Sequence, residues 1–184
     1  MLDAARACCE RWGRSKTTVD DIATEAGISR ATLYRMFPGG RDNLFEALRQ
    51  QETEDFFTKL SETLNGAESF EDLIVRGVVN ATRALRDDEH LRLMLASEPG
   101  EVVAGLTVEG LPVILRVATA FLTPWFAPHV GEAGSAELAE WLSRIVISYF
   151  LAPSTYHDLA DELSATEFVH RYVLPAYAPQ LVRD

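Results

Sequence analysis

The chain has 184 residues, 47% hydrophobic and 24% charged, with a formal net charge of −11 and two cysteines. A chain of this length buries roughly 70% of its unfolded surface, enough for a small module beside one larger domain. The adjacent Cys8 and Cys9 exclude a disulfide framework, no apolar run reaches the ~18–20 residues of a bilayer span, and no signal-type leader is visible; a cytoplasmic protein with no membrane partner is expected. The acidic total argues against nucleic acid until its distribution is read. Residues 1–41 carry seven Lys and Arg against five Asp and Glu, whereas residues 42–184 carry ten against twenty-three. A mildly basic head and a strongly acidic body follow, and the body's charge discourages non-specific DNA contact.

In chain order, the first helix is predicted from Leu2 to Trp12, stopping near Gly13. Its inward stripe is Leu2, Ala5, Cys9 and Trp12, with one cysteine in the core and the other nearer the surface. Residues 17–37 read as a helix-turn-helix. Thr18 is a good N-cap and Asp21, three residues on, completes an acidic capping box. Ile22 and Ala23 face inward, and Gly27 marks the turn, where a positive φ is free of steric cost. Ser29 caps a second helix running to Met36. Leu33 and Phe37 hold it down, which leaves Arg30, Ala31, Thr32, Tyr34 and Arg35 outward. Two arginines, hydroxyls and a small residue suit a major-groove surface.

Pro38-Gly39-Gly40 ends that helix. A long helix is predicted from Arg41 or Asp42 to Leu64, stopped by Asn65-Gly66. In the body, Ser69–Leu85 is amphipathic, with Phe70, Leu73, Ile74, Val78 and Ala81 inward. A shorter helix spans Asp87 to about Ser97 and breaks at Pro99-Gly100. Residues 101–110 are ambiguous. Leu111–Phe126 reads as a helix broken at Pro124, residues 128–135 as a glycine-rich loop, Ala136–Leu151 as a strongly apolar helix, and Ala165–Tyr177 as a last helix interrupted by Pro175. The result is an all-α architecture of about nine helices, with strand-like alternation absent. A helix as broadly apolar as Ala136–Leu151 is either central in a core or shared with a partner.

Phe57, Met94, Leu106, Phe121, Trp125 and Tyr149 are candidate linings of an effector pocket, since aromatics with one methionine make an adaptable apolar cavity. Such spacing also suits plain core. The effector expected there is a mostly apolar small molecule, with Arg116, His90 and His157 as candidate polar anchors. Glu167 and His170 form one Glu-x-x-His, half of a di-iron set. No nucleophile elbow, phosphate loop or dinucleotide fingerprint appears, so no enzyme, cofactor or metal is expected.

The run Asp3-Ala4-Ala5, residues 17–23 (TTVDDIA), residues 26–38 (AGISRATLYRMFP) and Arg41-Asp42-Asn43-Leu44-Phe45 resembles the DNA-binding domain of the TetR/AcrR family of bacterial regulators. The resemblance covers roughly a quarter of the chain. It implies a three-helix DNA-binding head, residues 1–45, and a helical effector-binding and dimerisation domain, residues 46–184. It also implies a phosphate-clamping role for Arg41, at a position where the family carries a lysine. Leu138, Trp141, Leu142, Ile145, Phe168 and Tyr172 would then form a four-helix homodimer interface with their copies. Thr18, Ser29, Tyr34 and Arg41 would seat the head on phosphates, and Arg30 and Arg35 would read guanines. The function implied is a homodimeric repressor that binds an inverted-repeat operator in double-stranded DNA and is released by an effector. The alternatives are a ligand-independent activator or architectural protein, and a helical carrier of small molecules.

Overall fold

The computed structural model describes residues 1–97, 99–106 and 110–181, all-helical with turns among the described residues. Ten α-helices follow in order: α1 (Leu2–Trp12), α2 (Val19–Glu25), α3 (Arg30–Met36), α4 (Arg41–Leu64), α5 (Phe70–Asp87), α6 (Glu89–Ser97), α7 (Pro99–Leu106), α8 (Leu111–Leu151), α9 (Glu162–Phe168) and α10 (Leu174–Leu181). A π-helical turn, Val169–Val173, joins the last two. The chain divides into two compact units, residues 1–58 with 88–102, and residues 59–87 with 103–184. The boundary expected between residues 45 and 46 falls inside α4.

In the first unit a single core gathers Ala5, Cys8 and Cys9 of α1, Val19, Ile22 and Ala23 of α2, Leu33 of α3, and Leu44, Phe45 and Leu48 of α4. Ala23 is small enough for α1 and α2 to pack closely. Two expectations for α1 need correction. Both cysteines are buried, because α1 turns its Ala5–Cys8–Cys9 edge inward. That phase leaves Trp12 42% exposed, where the Arg11 guanidinium covers its ring.

The second unit is built on α5, whose buried stripe of Phe70, Leu73, Ile74, Val78 and Ala81 was expected and which adds Val75, Val79 and Thr82. Phe70 meets Phe126 edge-on and stacks on His129. Helix α8 runs through Pro124 and Pro128 without breaking. A mid-helix proline costs about 3 kcal/mol, but the buried Leu122 and Phe126 flank Pro124 and anchor the helix on both sides. The loop expected at residues 128–135 shrinks to a kink at Gly131, whose φ of 73° and ψ of 167° leave the helical region. Pro99 starts α7 instead of ending structure there; proline suits a first helical turn because its missing N–H is an orphan in any case. In the last helical run, Leu174 N–H donates to the Val169 carbonyl five residues back. That shift of register comes just before Pro175, which has no N–H to place.

Helix α8 also corrects the expectation about membrane spans. One 18-residue window of it has mean hydropathy 1.3 and is 22% buried, so by length and composition alone it is apolar enough to cross a bilayer. Its buried face, Leu115, Ala118, Leu122 and Phe126, belongs to the core of the second unit.

Candidate nucleic-acid interface

The reader is built from two seven-residue helices whose N-termini are capped by side chains. At the start of α2 the Thr18 hydroxyl donates to Asp21 Oδ2 at 2.6 Å, and Thr18 N–H donates to the same oxygen at 2.9 Å. The Asp21 N–H returns a bond to Thr18 Oγ1 at 3.2 Å. These bonds, the hydroxyl's first, hold the Asp21 carboxyl below the ordinary carboxylate range. At the other end, Ile28 N–H donates to Ala23 O and Gly27 N–H to Thr24 O. This is a Schellman closure, and it needs the φ of +67° that Gly27 supplies. Ile28 packs on the core beside Ala23. Ser29 then caps α3 by accepting from Thr32 N–H, and the two hydroxyls lie 2.9 Å apart.

With Leu33 fully buried, the phase of α3 is fixed. Arg30, Ala31, Tyr34 and Arg35 are exposed and Thr32 is partly so. The structure thus brings Ser29, Arg30, Ala31, Thr32, Tyr34 and Arg35 onto one surface, with Thr18 exposed at the start of α2. Met36, 54% exposed on the same helix, was not singled out. Arg30 is not loose: its Nη1 donates to Asp20 Oδ2 at 3.1 Å and its Nη2 to Tyr34 Oη at 3.4 Å. The ten-residue separation of Asp20 and Arg30 matches no helical spacing, so no pattern announced the pair. Tyr34 rests over Gly40, where a Cβ would lie 2.6 Å from its Cε1.

Arg41, expected to clamp a phosphate, is engaged within the head in the free chain. Its Nε donates to the Thr17 carbonyl at 2.9 Å, another N–H of its guanidinium bonds the Arg14 carbonyl, and the cation lies 4.7 Å from the Phe45 ring centroid. The guanidinium is committed inward, tying the start of α4 to the loop before α2. Arg14 covers the same ring at 4.9 Å.

The second unit separates the residues expected at a dimer interface. Leu138, Leu142 and Phe168 are buried in the chain's own core, whereas Trp141 and Tyr172 are 36% and 47% exposed; Ile145 is half-buried. The division follows from helix phase: the inward and outward faces of α8 are both apolar, and one is used within the chain. Trp141 and Tyr172 line an open groove of about 440 Å³ with Glu140 and Arg144. A second groove of about 510 Å³ shares Glu140 and Arg144 and adds Arg116. Burial, with Glu137 nearby, pushes the Tyr177 phenol up.

None of the expected effector-pocket residues lines either groove. Phe57 and Met94 belong to the first unit and Leu106, Phe121, Trp125 and Tyr149 to the second. Phe57 meets Phe56 edge-on. Tyr149 packs on Phe168, which also meets His157 and Tyr172. His157 Nδ1 is buried without a hydrogen-bond partner. The His90 side chain lies outside the described residues. His170 pairs with Glu71 at 2.7 Å instead of working with Glu167.

A capped helix-turn-helix presenting two arginines on an exposed helix, in a chain that is all-helical among its described residues, defines a DNA-binding transcriptional regulator. Residues 1–48 match the family described as "Bacterial regulatory proteins, tetR family". Over 181 residues the chain is 25% identical to the HTH-type transcriptional regulator AlkX of Mycobacterium tuberculosis, covering 94% of this chain and 84% of that one. It is 29% identical over 180 residues to the uncharacterized HTH-type transcriptional regulator Mb2274c of Mycobacterium bovis, covering 92% and 89%. Its fold is similar, with a TM-score of 0.69 and 24% identity over 98% of this chain and 94% of the other, to the crystal structure of the TetR family repressor AlkX from Dietzia sp., a protein implicated in biodegradation of n-alkanes. Residues 1–48 thus carry the DNA-binding domain of the tetR family of bacterial regulators, and the chain is similar along most of its length to HTH-type transcriptional regulators.

Proposed function

We propose that this regulator is a cytoplasmic repressor without enzymatic activity, which binds an inverted-repeat operator as a homodimer and is released by a mostly apolar small molecule. The observation that carries the DNA reading is the exposed Arg30–Ala31–Tyr34–Arg35 face over a fully buried Leu33. Arg30 and Arg35 read guanines through their bidentate forks, and Ala31 admits the base edge. Thr32 touches a thymine methyl or a phosphate, while Thr18, Ser29 and Tyr34 meet the backbone. Arg41 supports the head from inside. Residues 1–45 thus form the reader, and 46–184 bind effector and partner.

Dimerisation is supported by the exposed Trp141 and Tyr172 beside the grooves of the second unit, since large exposed aromatics mark interaction surfaces. A two-fold dimer sets two α3 helices into successive major grooves, ~34–36 Å apart. The effector site is assigned to the second unit, where Leu106, Phe121, Trp125 and Tyr149 are part-buried. An effector releases operator only as far as it prefers the unbound shape, tenfold for each ~1.4 kcal/mol.

The test is selection of random duplex DNA on the purified chain at physiological salt. The expected product is an inverted repeat. With about eight phosphate contacts per dimer, log affinity falls against log salt with a slope near −7. A folded protein that enriches no sequence, or a flat salt response, overturns this reading.

A further inference from the structure

We propose that Asp20 sets the selectivity of the DNA reader, acting through Arg30 as a positioning residue. The inference rests on the reading of Arg30 as a base-contacting residue. Two side chains, from α2 and α3, converge on one guanidinium. Asp20, on the first turn of α2, accepts from Nη1 at 3.1 Å, and Tyr34, one turn further along α3, accepts from Nη2 at 3.4 Å. The Tyr34 ring also lies 5.5 Å below the cation, and Gly40 in the turn after α3 leaves the room that this ring occupies. The other acidic residues of α2 have different work: Asp21 closes the cap and Glu25 pairs with Arg11 at 3.0 Å.

The chemistry of the pair is that of a reversible hold. An arginine fork has five N–H donors, and Asp20 and Tyr34 engage two of them. Both members of the ion pair are largely exposed, with side chains 60% and 63% accessible. Exposed pairs contribute little to stability, so Arg30 leaves Asp20 for a guanine at small cost. On a wrong base pair no acceptor replaces the carboxylate, and Arg30 stays with Asp20. The retained pair offers the duplex no net charge, so Arg30 neutralises no phosphate there. Discrimination is a difference between two affinities, and Asp20 lowers the one for the wrong sequence.

The experiment compares the parent chain, Asp20→Asn, Arg30→Ala and the double variant, each full-length. Each is titrated with the selected duplex and with a scrambled duplex of the same composition across a salt series. Both positions are exposed, so all four proteins are expected to fold and melt alike. Asp20→Asn is expected to bind the selected site within about threefold of the parent and the scrambled duplex about tenfold more tightly. On scrambled DNA its salt slope steepens by about 1.8 per dimer, because each freed Arg30 neutralises one more phosphate at about 0.9. With Arg30 already replaced, Asp20→Asn leaves the ratio of the two affinities unchanged. An equal tightening on both duplexes, or the same change of ratio without Arg30, overturns the role of Asp20 and leaves Arg30 as a base reader. If Arg30→Ala alone leaves the base-preference profile intact, the reading beneath the inference fails.

Discussion

Gly40 and Gly27 have nearly the same φ, +66° and +67°, and therefore form a controlled pair. Alanine at either position enters the left-handed region, which costs an L-residue about 1–2 kcal/mol. What differs is the space around the new methyl group. At Gly27 nothing lies within 4 Å, whereas at Gly40 the methyl carbon would sit 2.6 Å from Tyr34 Cε1. Carbon atoms do not approach so closely, and the ring, 41% exposed, swings toward solvent. Its hydroxyl then leaves Arg30 and its face leaves the cation. Both variants are expected to lose about 1–2 kcal/mol in urea unfolding followed by far-UV circular dichroism. Gly27→Ala should hold a labelled operator duplex within about threefold of the parent, while Gly40→Ala should weaken by about tenfold in anisotropy titrations. Placed in a Tyr34→Ala background, Gly40→Ala should lower stability again and leave operator affinity where it was. Equal losses of operator affinity from the two glycine variants would refute the claim that the Tyr34 seat orders the reading surface.

Arg41→Gln removes charged donors from the Thr17 and Arg14 carbonyls, and urea midpoints should report a loss of about 2 kcal/mol. Arg41→Lys should recover less than half of it, because an ammonium cannot present two donors in a planar fork. The Asp21 carboxyl is held down by Thr18, and that of Asp158 by the Ala160 N–H and the Arg86 guanidinium. Folded values below the unfolded one give stability that is complete above the ordinary carboxylate value of 3.8 and is lost as pH falls through the lower folded values. Thr18→Val and Asp21→Asn should flatten that acid limb in melting curves taken from about pH 2 to pH 5. Burial raises the pKa of both Cys8 and Cys9, so a thiol reagent at neutral pH should label neither in the native chain and both in denaturant.

The head was legible because its signals are local. Caps, a glycine turn and one buried leucine fix α2 and α3 within a few residues of sequence, and the bounds of α1 and α4 follow from their own stops. Helix phase was harder: the apolar residues of α1 allow two inward edges, and the tertiary partners chose Cys8 over Trp12. Pro124 shows a local breaker overridden by burial on both sides of it. At Leu138, Leu142 and Phe168 the apolar pattern could not distinguish a face used within the chain from one offered to a copy. The inward contacts of Arg41 and the Asp20–Arg30 pair were not legible because the partners lie 24, 27 and 10 residues away, at separations that no periodicity marks.

The inward grip of Arg41 has a mechanical side. It fastens the first turn of α4 to the segment leading into α2, so α4 cannot swing without carrying the reader along as one solid piece. A signal arriving through α4 re-aims an intact instrument and leaves each half competent. On the function proposed above, an effector-bound dimer would then be mismatched to its operator by geometry alone. Moving the two half-sites apart by a few base pairs should restore its grip.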